Sequence, residues 1–194
     1  MNETLFTLLN RYAGQFHALD WFMATFSQNV QYVLVVFLLV YWFKGNHKST
    51  IHAVFSACLA LIFGFLISSF YTHPRPFMVD PAAHQLIPHV ADSSFPSDHA
   101  LGTFSLAFAI WRTNRKWGIG LFGLSIFMGL GRIFVGVHYP ADIAGGALVA
   151  LLAAFIVIRA ERKLDPFTQF ILKLYRKWFP FLQLKEHSIE SSKL

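Results

Sequence analysis

Arg75, Ser97, His99, Arg132, His138 and Asp142 are the residues of this chain whose types and spacing could do chemistry. His138 and Asp142 lie four apart with Pro140 between them, and Pro suits the first turn of a helix. With that turn helical from Tyr139 onward, the Asp142 carboxylate reaches back to one imidazole nitrogen. The other nitrogen is then presented in a fixed tautomer, as in nucleophile and base pairs held by an orienting carboxylate. A structural His-Asp pair at a helix start is the alternative for these two residues taken alone. Ser97 is a natural N-cap, and the free amides of the turn that follows, which includes Asp98, make an anion site with the helix dipole behind them. His99 falls in the same turn, a titratable group beside an anion-binding helix end, with capping or packing as its alternatives. Arg75 and Arg132 stand at the ends of apolar runs, where a cation needs an anion or a wet cavity. Two guanidinium groups repel a metal ion and no ligand-rich motif accompanies them. The combination points to phosphate, with no metal and no cofactor.

Positioning these residues falls to the apolar runs. The 194 residues are 55% hydrophobic, 17% aromatic and 13% charged, with a mean hydropathy of +0.49, whereas a soluble domain carries roughly 25% charge. Disorder, a nucleic-acid module and a disulfide scaffold are excluded for the whole chain, and no nucleic-acid partner is expected. Cys58 is alone and lies in an apolar run, as a small packing residue does. Residues 22–43 and 51–71 are each long enough to cross a bilayer, which takes about 20 residues. Residues 101–111 make a short span once 96–99 serve as its polar first turn, and 117–130 and 141–158 complete a set of five. Before them Leu5, Leu8, Leu9, Tyr12, Ala13 and Phe16 recur at helical spacing, as in a helix lying on the membrane surface. Residues 165–184 mix Phe, Leu, Trp and Tyr with Lys and Arg, as in a basic amphipathic helix drawn to anionic lipid. The glycines of the fourth and fifth runs suit close helix packing.

The turns 44–48 and 112–116 and everything after Arg159 hold 13 of the 16 Lys and Arg residues, leaving Arg11, Arg75 and Arg132 on the other side. The positive-inside rule therefore places the N-terminus outside and the C-terminus in the cytoplasm. Segments 71–76, 95–99 and 131–142 emerge together on the outer face. The expected architecture is an all-α polytopic bundle of about five transmembrane helices. Residues 1–164 form the membrane-embedded domain and 165–194 a cytoplasmic amphipathic tail.

Arg75-Pro76, then Pro96-Ser97-Asp98-His99, then Arg132 followed by His138 and Asp142 resemble, in order and topology, the three motifs of the type 2 phosphatidic acid phosphatase superfamily. Ser68 stands where the family usually has a Lys, Asp98 where a Gly is frequent, and Gly131 where a Ser precedes the Arg. The stretch 84–99, HQLIPHVADSSFPSDH, and the segment GVHYPAD are most similar to bacterial undecaprenyl-diphosphate phosphatases of the bacitracin-resistance type, which share the Lys-less first motif. The resemblance implies that His138 attacks phosphorus, Asp142 orients it and His99 protonates the leaving oxygen, through a phosphohistidine that water hydrolyses. Arg75, Ser97, Asp98 and Arg132 form the implied phosphate-binding set. It further implies a bacterial plasma-membrane enzyme acting at the outer face on undecaprenyl diphosphate, which recycles the peptidoglycan lipid carrier and opposes bacitracin. Phosphatidylglycerophosphate or phosphatidate is the alternative substrate. A lipid or anion transporter that binds without hydrolysis is a distant second class. Oligomeric state is not legible in the sequence.

Overall fold

Long apolar runs broken by short polar turns favour continuous helices, because only helices and closed barrels satisfy every backbone N–H and C=O group within lipid. In the computed structural model, which describes residues 2–180, every regular element is an α-helix. These are α1 (Asn2–Asn10), α2 (His17–Phe43), α3 (His47–Phe70), α4 (Pro76–Val79), α5 (Asp98–Thr113), α6 (Arg115–Phe134), α7 (Pro140–Arg159) and α8 (Glu161–Trp178). Four of them, α2, α3, α6 and α7, are long and apolar enough to cross a membrane. Their outward faces carry exposed Val36, Phe65, Ile119 and Leu148, surface that is tolerable in lipid and costly in water. The chain is an all-helical membrane protein.

The expected third span is α5, whose 16 residues cover about 24 Å at 1.5 Å per residue, less than the roughly 30 Å of a hydrocarbon core. It packs against α3, α6 and α7 and buries Ala100, Leu101, Phe104, Ala107 and Ile110. Close approach to α7 depends on Gly146, where an added Cβ would lie 2.7 Å from Ala100 Cβ and 3.1 Å from the Ser97 carbonyl oxygen. Gly146 thereby sets the depth at which the start of α5 rests against α7.

The N-terminal segment departs from a single helix on the surface. α1 ends at Asn10, and a turn at Gly14, with φ +83°, leads into α2; the Gly14 amide donates to Asp20 Oδ1 at 3.1 Å. Phe6, Asn10 and Ala13 are buried while Leu5, Leu8, Tyr12 and Phe16 are exposed. Of the expected apolar stripe only Ala13 is fully buried, with Leu9 partly buried against Phe6, Ile133 and Tyr139. The inward face is instead built around a buried amide: Asn10 donates to the carbonyls of His84 at 2.9 Å and Phe134 at 2.8 Å, and accepts from the His84 N–H at 2.8 Å. Hydrophobic spacing alone carries no signal for such a polar anchor.

At the other end of the bundle α8 starts at Glu161 and runs through the expected 164/165 boundary. Lys48 reaches Glu161 at 3.0 Å and Asp165 at 2.8 Å, and Arg112 reaches Glu161 at 3.2 Å. These pairs tie α8 to α3 and α5. Phe167, Phe170, Leu174 and Trp178 of α8 are exposed. Residues 181–194 of the expected tail lie outside the described residues.

Candidate active site

His138 stands in the turn between α6 and α7, and Pro140 starts α7 at its first position, where a residue without an N–H costs nothing. Asp142 then reaches back, its Oδ2 accepting from the Tyr139 N–H at 2.7 Å, the acidic half of a capping box. Gly136, with φ +83°, makes the turn possible, because any Cβ there would strike the His84 carbonyl oxygen. The loop from α4 to α5 lies across this turn: the Leu86 N–H donates to the Val135 carbonyl at 3.1 Å, and the Ser97 N–H to the Asp142 carbonyl at 3.3 Å.

The imidazole of His138 is buried and held on both sides. Its Nδ1 lies 3.0 Å from the Ser94 carbonyl oxygen, the geometry of an N–H donor, and 3.6 Å from Asp142 Oδ2, beyond ordinary hydrogen-bond length. Nε2 lies 3.2 Å from Arg75 Nη1, so it accepts from the guanidinium. The tautomer is thus fixed by a backbone carbonyl and not, as the four-residue spacing had implied, by Asp142 directly. Ser94 connects the two groups: fully buried, it donates through Oγ to Asp142 Oδ2 in a short hydrogen bond while its carbonyl accepts from the imidazole Nδ1–H. Burial pushes the His138 pKa well below the ordinary imidazole value, and the nearby Arg132 and Arg75 charges act in the same direction. A neutral, nucleophilic ring results.

Arg75 is stitched into the scaffold. Its Nε contacts Asp92 Oδ1 at 2.8 Å, and its terminal nitrogens donate to the carbonyls of Ser93 at 3.1 Å and Val137 at 2.9 Å. Arg132, near the end of α6, is the opposite case: it is 2% exposed, yet its Nε and Nη2 have no hydrogen-bond partner. Ser97 occupies the N-cap position of α5 without making the expected cap bond, and its buried Oγ is also unpartnered. An unsatisfied buried guanidinium, and an unsatisfied buried hydroxyl at a helix N-terminus, are costly unless an anion completes them. Asp98 and His99 follow Ser97, and both have Arg75 and Arg132 among their electrostatic neighbours; His138 is another neighbour of His99. All seven residues expected from the sequence therefore gather at one end of the bundle. Ser68 does not join them, its Oγ bonding back to the Phe65 carbonyl within α3.

Sequence reasoning missed four residues here. Ser94 and Asp92 act through an irregular loop, where no periodicity marks a facing residue. His89, on the same loop, sets its ring edge-to-face with His138 at 6.1 Å between centroids. His73 Nδ1 lies 3.7 Å from Asp142 Oδ1, and neither atom has a hydrogen-bond partner. The signals available for these were the place of His73 two residues before Arg75 and that of His89, Asp92 and Ser94 within the stretch 84–99. Among the described residues no group of three or more His, Cys, Asp or Glu side chains is arranged to hold a metal ion. The arrangement suits a nucleophilic imidazole facing a tetrahedral oxyanion held by guanidinium and helix-end donors.

Known proteins fit the same description. The PAP2 superfamily profile matches residues 49–165. The undecaprenyl-diphosphatase BcrC of Bacillus subtilis (strain 168) is 34% identical over 180 residues, covering 90% of this chain and 92% of the relative. The bacitracin transport permease protein BcrC of Bacillus licheniformis is 34% identical over 180 residues, covering 91% and 88%. The crystal structure of Aquifex aeolicus LpxE superposes with a TM-score of 0.71 at 26% identity, covering 81% of this chain and 94% of that one. The matched region runs from α3 into α8 and contains every residue that the geometry brings around His138, and by that match the chain belongs to the PAP2 superfamily.

Proposed function

We propose that this protein is an integral-membrane phosphatase that hydrolyses undecaprenyl diphosphate to undecaprenyl phosphate and phosphate. The observation that carries the reading is the buried, unpartnered Arg132 guanidinium, an electrostatic neighbour of Asp98, His99 and His138, together with the unpartnered Ser97 hydroxyl at the start of α5. The relatives named for undecaprenyl-diphosphatase activity supply the substrate class.

His138 Nε2 attacks the terminal phosphorus, and the bond from that phosphorus to the bridging oxygen breaks. Arg75, which donates to Nε2 before substrate arrives, turns to the non-bridging oxygens, where Arg132, Ser97 and the amides of the Asp98 turn also stabilise charge. His99 donates its proton to the leaving oxygen. The same ring then accepts a proton from the water that attacks the phosphohistidine, releasing phosphate and restoring His138. Asp142 supports the site by holding Ser94 and the Tyr139 amide. Guanidinium groups and a helix end supply the positive charge, so the reaction calls for no metal.

The setting follows the charge distribution. α5 is the third of five spans, its short length matched by a polar start at the outer interface, and the site opens on the outer face of the bacterial plasma membrane with the C-terminus in the cytoplasm. α1 and α8 lie along the two interfaces, each with its exposed apolar side chains toward lipid, and residues from 165 onward form the cytoplasmic tail. The product returns to use as the peptidoglycan lipid carrier, and faster recycling opposes bacitracin. The test is phosphate release by purified protein in detergent from undecaprenyl diphosphate, undecaprenyl phosphate, phosphatidylglycerophosphate and phosphatidate side by side. Preference for the first is expected; preference for either phospholipid would replace the substrate, and release from none would refute the reading.

A further inference from the structure

The electrostatics of the site leave a diphosphate short of positive charge. Two permanent cations, Arg75 and Arg132, face the carboxylates of Asp92, Asp98 and Asp142, and Arg75 already spends its Nε on Asp92. A diphosphate monoester adds about three negative charges at neutral pH, since a terminal phosphate loses its second proton near pH 6. The further cation has to come from an imidazole that the chemistry leaves idle. His138 must stay unprotonated to attack, His99 is the acid, and His73 faces Asp142 behind the nucleophile.

His89 remains. It rides on the loop between α4 and α5, half-buried, with its ring against His138. Arg75, Arg132 and Asp92 are its charged neighbours, and it acts in turn on Asp98 and His99. Its Nδ1 lies 3.2 Å from the Val90 carbonyl oxygen, as a donor, and Nε2 has no hydrogen bond among the described residues.

We propose that His89 is the residue that selects a diphosphate over a monoester, its protonated ring bonding through Nε2 to the phosphate that stays on the lipid. This rests on the phosphatase reading above. When a diphosphate is cleaved, that inner phosphate is the leaving group, and the negative charge it gains must be neutralised. Cleavage of phosphatidate expels the diacylglycerol oxygen as an alkoxide, and phosphatidate has no inner phosphate to bind. Without substrate the His89 pKa is lowered by burial and by Arg75, so the ring is neutral at neutral pH. A polyanion beside it raises that pKa. Diphosphate binding therefore takes up a proton, and affinity falls as pH rises from the free towards the bound pKa.

The experiment measures kcat/KM for undecaprenyl diphosphate and for phosphatidate with the wild type, His89→Gln and His89→Ala, in detergent, with folding checked by size-exclusion chromatography and melting temperature. The ratio of the two constants, diphosphate over phosphatidate, should fall about tenfold or more in both variants, the effect of one lost charge-assisted hydrogen bond. In parallel, KM for the diphosphate should climb more steeply with pH in the wild type than in His89→Gln. A ratio that stays constant, whether both activities fall together or neither does, overturns the proposal. Equal pH slopes overturn it as well. A wild type active on phosphatidate and inactive on the diphosphate removes the role of His89 and leaves the phosphatase; a wild type active on neither removes the phosphatase reading itself.

Discussion

At the scale of single residues the site divides into groups that the protein already satisfies and groups that it leaves for a ligand. Arg75 belongs mainly to the first, tied to Asp92, Ser93 and Val137, and Arg132 to the second. Arg132→Ala should therefore cut turnover by about a hundredfold or more, since it removes a charge-assisted phosphate contact, with little change in melting temperature. Arg75→Ala should lower both activity and melting temperature. Because the Nδ1–H of His138 donates a hydrogen bond to the Ser94 carbonyl, Asp142→Asn keeps the nucleophile in its tautomer. We expect it to lose about 10- to 100-fold in kcat, less than the roughly 10⁴-fold seen where the carboxylate alone fixes the tautomer; a loss as large as that of His138→Ala would show that Asp142 orients the ring itself. The lowered His138 pKa has a definite sign: the ring stays neutral as pH falls through 6.5 and becomes charged only further down. A histidine-selective NMR titration checks this, and protonation at or above pH 6.5 would contradict it. The residues legible from sequence were those at fixed spacing within a helix turn, His138 with Asp142 and Ser97 with His99. Ser94, His89 and Asp92 were not, because a loop brings them in by its three-dimensional path and leaves no period to read.

The elements were legible where apolar length decides them. α2, α3, α6 and α7 coincide with the expected runs to within a few residues at each end, since about 20 apolar residues in lipid have little alternative to a helix. α5 was legible only through its polar first turn, being too short to stand out by hydropathy. α1 was legible as a helix but its inward face was not, because that face is organised by Asn10 and by Phe6, which packs on Tyr139 at 5.3 Å between ring centroids. Both contacts press on the segments that carry the site. Asn10→Ala should thus destabilise the protein by about 1–3 kcal/mol through the carbonyls and amide it leaves unpaired, and should lower kcat although Asn10 touches no substrate; thermal unfolding in detergent with parallel assays tests both. Gly146→Val should act from the α7 side by pushing the start of α5 away, a cost of about 1–3 kcal/mol from overpacking.

At the scale of the whole molecule the account depends on all the reactive groups meeting at one end while most cations gather at the other. That polarity fits hydrolysis at a single face, whereas transport needs a site reachable from both sides, with polar or broken spans between. In a Cys58→Ala background, a cysteine at Ala91 should react with an impermeant maleimide on intact cells and one at Asn114 only after permeabilisation; reaction of both from the same side would remove α5 as a span. Activity should persist in EDTA, since Arg132, Arg75 and the start of α5 provide the charge that a metal would bring; loss on chelation with recovery on adding Mg²⁺ or Zn²⁺ would contradict that. The central claim is the covalent step at His138, and rapid quenching of the purified protein with undecaprenyl diphosphate labelled in its terminal phosphate tests it most directly. The account predicts an acid-labile, base-stable phosphoryl group on the peptide that contains His138, formed faster than phosphate is released and absent from His138→Ala. Turnover without that label, or label and turnover that survive in His138→Ala, would contradict it.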